Sequence, residues 1–284
     1  MKKLSLIAIS GVMVLFSYMP LANAGNSAWL PAPGGGSVSL SLIYQNAEEF
    51  YRGSEKMPGP LAEDDLTQKT AMVQIKYGLM DSLALDLAVG GSEASKPGAG
   101  PKESEDESGV TDINVGMTLR LVDEAVTEAP SIAVRVGGIK AGSYDTGYIN
   151  SIGDGADGFE VSGIVGKYLS DNFAISGELG YRMRNEDVPD VIFGNVTGSL
   201  LFADMFALSI NYAMENSTDG IDIGSDGFTP SRFPETEEDV HTLGSTLTFL
   251  VGGGASINGS YARVIDGRNT GEYNIFAVSL GYSF

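Results

Sequence analysis

The sequence predicts an all-β protein, an antiparallel transmembrane β-barrel of about twelve strands with short periplasmic turns and longer acidic extracellular loops. Three observations predict it: the way the chain ends, the way it begins, and a repeated hairpin. The chain ends at Phe284, inside an alternating strand whose large residues share one face with it: Phe276, Val278, Leu280 and Tyr282. Large apolar residues on one face and small or polar residues on the other are typical of a strand between lipid and a filled or wet lumen.

The start of the chain has the pattern of a cleaved signal peptide, residues 1–24. Met1-Lys2-Lys3 is basic, the run up to Leu21 is largely apolar, and Ala22-Asn23-Ala24 fits the small-x-small cleavage site. The alternative is a membrane-anchoring helix, but Pro20 interrupts the apolar run and a cleavage site follows it. We therefore predict export, which removes two lysines and no acid.

Cleavage leaves a periplasmic N-terminal segment, residues 25–36, and a transmembrane β-barrel, residues 37–284. With 43% hydrophobic residues and 38 glycines, the chain is too apolar for disorder and too glycine-rich for a helical bundle. The lack of cysteine excludes disulfides and thiolate sites. A formal net charge of -20 argues against a nucleic-acid partner, because phosphate binding needs clustered Lys and Arg.

A hairpin pattern occurs at residues 79–85, 169–175 and 202–208. Each copy has a large apolar residue, a tight turn containing Asp, and another large apolar residue four positions on. The even spacing keeps both apolar residues on one face, and Asp suits the turn because its side chain bonds nearby backbone. The pattern predicts antiparallel strands joined by tight turns.

Counting from these turns predicts twelve strands near 37–47, 67–79, 82–92, 110–122, 131–142, 157–169, 172–184, 190–203, 205–216, 239–251, 255–265 and 272–284. Connections alternate between short turns and longer polar loops, which is the usual arrangement of periplasmic turns and extracellular loops. Both termini then lie in the periplasm. A soluble sandwich is the alternative, but it would not need large apolar residues pointing outward on strand after strand.

The inward face by strand parity is polar and of mixed charge. The lumen-lining candidates are Lys76, Asp86, Asp112, Arg120, Arg135, Glu178, Arg182 and Arg184. Such a lumen either conducts small polar solutes or is closed by internal ion pairs, and about twelve strands enclose a bore between filled small barrels and open porins. Both readings stay open at this point.

The outer loops carry most of the acid, for example Glu63-Asp64-Asp65, Glu103 to Glu107, and Glu235 to Asp239. Carboxylates bind hard divalent cations when several oxygens converge, and such cations would bridge the loops to anionic lipopolysaccharide. A solvated surface is the simpler reading. We predict no dedicated metal site and no cofactor.

The sequence gives little support for catalysis. The only histidine, His241, falls at the outer end of the tenth strand and shares a face with Leu243 and Leu247. No serine lies two residues after it, as in outer-membrane phospholipases, and Val240 precedes it where omptin proteases have Asp. We predict that the protein is not an enzyme.

The segment Gly109-Val110-Thr111-Asp112-Ile113-Asn114-Val115-Gly116 resembles the strand opening of barrels named for the MetA pathway of phenol degradation. Residues 130–134, the Asp-containing turns and Ala28-Trp29-Leu30-Pro31 resemble theirs too. That family is similar to transporters of fatty acids and aromatic hydrocarbons, which implies uptake of small apolar or aromatic compounds. It also implies that the N-terminal segment enters the lumen as a small plug.

The aromatic end of the chain, Tyr282 and Phe284, resembles the signal read by the barrel assembly machinery of Gram-negative outer membranes. The expected location is therefore that membrane, with its lipid, its lipopolysaccharide and the assembly machinery as partners. Three functions are open: a passive channel for small hydrophobic or aromatic compounds, a narrow diffusion pore for hydrophilic solutes, or a structural or surface-interaction barrel.

Overall fold

The computed structural model describes residues 27–57, 66–96, 105–147 and 149–284. Within these ranges the strands are β1 Gly36–Arg52, β2 Glu55–Met57, β3 Leu66–Met80, β4 Leu83–Lys96, β5 Glu105–Val110, β6 Ile113–Val122, β7 Ser131–Lys140, β8 Gly158–Tyr168, β9 Phe173–Arg184, β10 Val191–Phe202, β11 Phe206–Ser217, β12 Asp239–Gly252, β13 Ala255–Arg268 and β14 Gly271–Ser283. A short helix, α1, spans Glu124–Thr127, and a 3-10 helix spans Pro230–Glu235. None of the helices in the described ranges is long and apolar enough to cross a membrane. The predicted signal peptide lies outside these ranges.

The strands form a closed antiparallel barrel with twelve wall positions. Neighbours in sequence are neighbours in the sheet, and β14 pairs with β1 to close it. β5 and β6 share one wall position beside β4, and β2 folds back on the outer end of β1 as a hairpin. The closing register sets Val38 opposite Tyr282 and Tyr44 opposite Phe276. The predicted strand number and the closure by the last strand are confirmed.

The outer face of the barrel is apolar, as the alternation predicts. On β1, Leu40 and Leu42 are 46% and 61% exposed, whereas Ser41 and Ile43 between and after them are 1% and 5% exposed. Exposed large apolar residues alternate with buried residues on the other wall strands too, so large apolar side chains point away from the interior around the whole barrel. Water would oppose this arrangement, whereas lipid favours it. The exposed apolar band is therefore the membrane-facing surface.

The two ends of the barrel differ. Tight turns, the start of β1 and the end of β14 meet at one end, where the Gly36 amide donates to the Phe284 carbonyl at 3.0 Å. The third copy of the repeated turn uses left-handed backbone at Ala203 and Asp204, with φ of 52° and 56°. Asp tolerates this conformation better than most residues. The long loops, including the one with the 3-10 helix, lie at the other end, together with the two-residue turn between β13 and β14. The predicted separation of the short turns from the long loops is confirmed.

One predicted strand is wrong in detail, because residues 110–122 are not continuous. The strand breaks at Thr111 and Asp112. On β4, Ala88 faces Asn114 of β6 and Gly91 faces Val110 of β5, so the facing chain has one more residue than β4 between these two pairs. This extra residue is a β-bulge. The Thr111 hydroxyl accepts the Gly90 amide at 3.0 Å, which satisfies a donor that the ladder leaves free.

Candidate functional site: the barrel interior

One side of the interior is a ladder of alternating charges, which we call the ionic wall: Asp86, Arg135, Glu160, Arg182 and Glu215. Arg135 Nη2 lies 2.7 Å from Asp86 Oδ2, and its Nη1 pairs with Glu160. Arg182 Nε lies 3.3 Å from Glu160 Oε2, and its Nη1 lies 3.1 Å from Glu215 Oε2. Both arginines are 1% exposed. Buried charges are tolerated because each arginine bonds two carboxylates.

Glycines on β6 and on β7 itself make room for the Arg135 side chain. A Cβ on Gly116 would lie 2.2 Å from Arg135 Nη2, and one on Gly137 would lie 2.8 Å from Arg135 Nη1. The Arg182 guanidinium also lies over the Phe193 ring, 5.2 Å from its centroid. The charged side chains therefore lie flat against the wall instead of projecting freely into the bore.

The structure places the eight predicted lumen-lining residues in three groups. Four are in or beside the ionic wall and at most 7% exposed: Asp86, Arg135, Glu178 and Arg182. The second group consists of two separate residues, Lys76 and Arg120. Lys76 is half-buried and faces Asp86 in the β3–β4 register. Arg120 lies at the periplasmic rim, where it pairs with Asp123 at 2.8 Å. Whether these side chains line a solute path stays a prediction.

The third group, Asp112 and Arg184, holds a loop. Asp112 accepts the Gly142 amide at 3.1 Å and the Tyr144 hydroxyl, and Arg184 Nη2 lies 3.3 Å from its other oxygen. Burial, followed by the Asp112 charge, raises the pKa of Tyr144, so this hydroxyl stays a donor. Asp112 thus anchors the 141–157 loop over the interior.

The side of the interior from β10 to β1 is lined largely by hydroxyl and amide groups that bond one another. Ser199 and Ser209 hydroxyls lie 2.8 Å apart, and Thr248 donates to Asn258 at 2.6 Å. Ser279 donates to Ser41 at 2.8 Å, which links the last strand to the first. Because these hydroxyl and amide groups bond one another, they leave few hydrogen-bonding atoms free for a solute. Two amide oxygens of this side, Asn211 Oδ1 and Gln45 Oε1, have no partner among the described residues.

An apolar surface interrupts this polar interior. Its central patch lies on β1, β3, β4, β13 and β14: Ile43, Met72, Ala88, Ala262, Ile275 and Ala277. A second cluster lies nearer the extracellular end: Ala47, Phe50, Leu66 and Ile223, with Ile149, Phe228 and Phe233 against it. Tyr273 contacts both clusters. We call the two clusters joined through Tyr273 the apolar track.

A cavity of about 90 Å³ lies under the extracellular loops at the upper end of the apolar track. Phe50, Leu66, Phe233 and Tyr273 give it apolar walls, and several polar groups interrupt them, including Asn150, Asp154, Glu238 and Asn269. The cavity therefore combines aromatic surface with acceptor groups.

The N-terminal residues 28–35, the N-terminal strap, cross the interior at the periplasmic end. Ala28 is buried against Ala133 and Ile164, and the Trp29 ring lies 4.7 Å from the Tyr168 ring. At the other side, the Gly34 amide donates to the Gly78 carbonyl at 2.9 Å. The strap therefore runs from the β8–β9 side to β3. It narrows the periplasmic opening of the barrel, which we call the lower mouth.

Sequence reasoning missed several interior residues. Glu160 shares the inward parity of Ser162, but β8 was the least regular strand because Lys167 lies on the face of Val161. Lys167 in fact pairs with Glu124 at 3.0 Å at the periplasmic rim. Glu215 lies at the end of its strand, where parity is weakest. Strand alternation alone would have found Glu160.

The acidic loops bring together no cluster of three or more metal-ligating side chains within the described residues. Glu63, Asp64, Asp65 and Glu103 lie outside those residues, so cation binding stays a prediction. His241 lies on the outward face, and its Nδ1 is 2.7 Å from the Tyr212 hydroxyl.

No curated protein sequence matches this chain. A family model described as "Putative MetA-pathway of phenol degradation" matches residues 65–280. Among solved structures, the chain is similar to the COG4313 outer membrane channel from Pseudomonas putida F1, with a TM-score of 0.72 and 13% identity over 93% of this chain and 100% of that one. It is also similar to the NanC porin (TM-score 0.53, 6% identity, 87% and 100% covered) and to the transport unit of the autotransporter AIDA-I from Escherichia coli (0.51, 9%, 98% and 97%). These likenesses confirm the fold of a Gram-negative outer-membrane barrel.

Proposed function

The chain belongs to the family named for the MetA pathway of phenol degradation, and we propose on that premise that it is a passive outer-membrane channel for small hydrophobic or aromatic compounds. The observation that carries the proposal is the apolar track, which runs down one side of an otherwise polar interior. A solved structure of similar fold is described as an outer membrane channel, which supports the same class of function.

The physical argument rests on the cost of moving an apolar solute. Apolar surface removed from water is worth about 25 cal/mol per Å². A solute that follows the apolar track keeps part of this contact, whereas a polar wall would offer none. Ile43 and Ile275 supply branched aliphatic surface at mid-height, and Tyr273 bridges to the outer cavity.

The ionic wall favours the other reading, a narrow pore for hydrophilic solutes. Its charges are, however, paired and at most a few per cent exposed, except for Glu215. Paired, buried charges offer little attraction to a passing ion. We therefore keep the hydrophilic pore as the alternative that conductance measurements test.

We further propose that the protein acts without catalysis, that residues 1–24 direct its export, and that Tyr282 and Phe284 are read by the barrel assembly machinery. Outer-membrane lipid and lipopolysaccharide would surround the apolar band, and divalent cations would bridge the acidic loops to lipopolysaccharide. A Cβ on Gly36 would lie 2.9 Å from Phe284 Cζ, so the ring lies beside Gly36 and an aromatic last residue also fits the closing seam.

The test measures entry of toluene at low concentration into a Gram-negative host that carries an aromatic-ring oxygenase in its cytoplasm. Expression of the barrel should raise the rate of toluene oxidation. Ile43→Asn places an amide in the apolar track, and Ser39→Asn adds the same amide two inward positions away, outside the track. An amide at position 43 removes apolar wall from the track, so Ile43→Asn should slow entry while Ser39→Asn stays near wild type.

Equal oxidation with and without the barrel would contradict the proposal. Single-channel recording in planar bilayers separates the alternative, because a steady ionic current without faster toluene entry indicates a hydrophilic pore. Silence in both assays leaves a structural or surface-interaction barrel.

A further inference from the structure

The cavity under the extracellular loops has a chemical character that the rest of the apolar track lacks. Two carboxyl side chains, Asp154 and Glu238, line it, and no lysine or arginine of the described ranges does. Phe50, Phe233 and Tyr273 supply aromatic rings to the same wall. The cavity thus combines two carboxyl groups with aromatic surface in a space the size of a small molecule.

The Asp154 carboxylate is only weakly neutralised. Its ion-pair partner is Arg184, whose Nη2 lies 3.8 Å from Asp154 Oδ2, at the limit of an ion pair. The same Nη2 lies closer to Asp112, at 3.3 Å. The Asp154 side chain is 28% exposed, so part of the carboxylate is open to the cavity. Burial raises the pKa of Asp154 and the Arg184 charge opposes this, so a cation in the cavity would favour the ionised form of Asp154.

Glu238 lies among acids. Burial, and after it the charges of Asp154, Glu215 and Asp239, raise the pKa of Glu238 to about 8, while a hydrogen bond with Thr270 acts in the opposite direction. At neutral pH this acid is therefore mostly protonated in the empty cavity, and a cation beside it would favour its ionised form, because the cation offsets both the burial and the repulsion. The side chain is half-buried and lines the cavity.

An unpartnered acceptor lies in the same wall. Asn150 is 8% exposed, and its Nδ2 donates to the Ala94 carbonyl at 3.5 Å. Its Oδ1 has no hydrogen-bond partner among the described residues. A buried amide oxygen without a donor is costly, and a ligand donor in the cavity would satisfy it. This observation is independent of the two carboxylates and points to the same kind of ligand.

We propose that this cavity binds small organic ammonium ions that carry an apolar or aromatic body, and that it disfavours carboxylates of the same size. The inference rests on the proposed function, since it names the substrate class that the apolar track receives. The ammonium group would lie near Asp154 and Glu238 and donate to them, with Asn150 as a further acceptor. Aromatic rings such as Phe233 attract cations through their faces and cover the apolar body.

The experiment measures binding of three probes of similar size to the full barrel in detergent at neutral pH: benzylamine, benzyl alcohol and benzoate. Titration calorimetry or saturation-transfer NMR gives the dissociation constants. Benzylamine, protonated at this pH, should bind at least about tenfold more tightly than benzyl alcohol, and benzoate more weakly than both.

Glu238→Gln keeps the size of the side chain and removes the carboxyl group that would ionise beside an ammonium ion. It should bring benzylamine to within about threefold of benzyl alcohol, whose own affinity should not change. The matched control is Glu235→Gln, because Glu235 lies in the same loop, pairs with Arg232 and does not line the cavity. If Glu238→Gln fails to form the heat-modifiable barrel, Asp154→Asn tests the same charge from the other loop.

Benzoate binding as tight as benzylamine binding would overturn the inference, and so would a folded charge-removal variant with an unchanged benzylamine preference. Both results leave the proposed channel intact if toluene still enters cells faster. Failure of all three probes to bind, together with no gain in toluene entry, would overturn the proposed function as well.

Discussion

Replacing Arg135 by methionine tests whether the ionic wall is a closed structural ladder or a hydrated surface. The guanidinium joins two carboxylates, with 2.7 Å to Asp86 Oδ2 and a contact to Glu160. The three side chains are 1%, 5% and 2% exposed, so methionine would leave the buried Asp86 without its arginine and Glu160 with Arg182 alone. Breaking a buried pair by removing one partner costs about 3–5 kcal/mol.

The expected loss is therefore about 4 kcal/mol in the free energy of unfolding, or about a thousandfold in the unfolding equilibrium. Lys140→Met is the matched control, because Lys140 lies on the same strand and pairs with Asp157 at 2.8 Å. That pair is 71% and 42% exposed, so its loss should cost no more than about 1 kcal/mol. Reversible urea unfolding of the folded barrel in detergent, followed by tryptophan fluorescence and gel mobility, measures both.

The reasoning also predicts recovery. A triple variant, Asp86→Asn with Arg135→Met and Glu160→Gln, removes all three charges and should regain most of the lost stability, because Arg182 keeps its pair with Glu215. If Arg135→Met and Lys140→Met differ by less than about 1 kcal/mol, water reaches the two carboxylates and the ionic wall is not closed by pairing. That result would revive the hydrophilic pore.

Three further predictions follow from close contacts. Gly116→Ala should destabilise the barrel by about 1–3 kcal/mol, because its Cβ would lie 2.2 Å from Arg135 Nη2. Gly138→Ala is the control and should be near neutral, because its Cβ would have nothing within 4 Å. Thermal unfolding, followed by gel mobility, compares the two variants. Trp29→Ala should raise ionic conductance in planar bilayers, since the ring fills space beside Tyr168 at the lower mouth; unchanged conductance would show that the strap does not limit the opening. Deleting Phe284 should lower the amount of heat-modifiable barrel without abolishing secretion, and Phe284→Tyr should assemble normally; normal assembly of the deletion would contradict its role as a signal.

The strand pattern made the wall of the barrel predictable. Period-two alternation depends only on backbone geometry and on the contrast between lipid and interior. Leu40, Leu42 and their equivalents therefore identified the outer face residue by residue. Strand alternation also predicted that charged residues such as Arg135 and Arg182 face inward. It could not predict the bulge at Thr111 and Asp112, because the bulge depends on a hydrogen bond to Gly90 on another strand.

What the inward residues do was decided only by tertiary structure. Parity places Asp112 inside, but its role in holding the 141–157 loop depends on Tyr144 and Arg184, which come from distant parts of the chain. Parity likewise cannot show that Ile43 and Ile275 meet, since that contact arises when β14 closes on β1. Pairing partners across a barrel depend on closure, which local sequence does not encode.

By itself, the sequence determined the fold class, the number of strands, the direction of each face and the family, because these depend on local periodicity and short motifs. The tertiary structure alone decided that the charges pair into a ladder, that the strap crosses the lower mouth, and that Asp154, Glu238 and Asn150 share one cavity. The physical reason is that burial and charge pairing depend on distances between strands and loops far apart in the chain, and only the closed barrel brings them within contact.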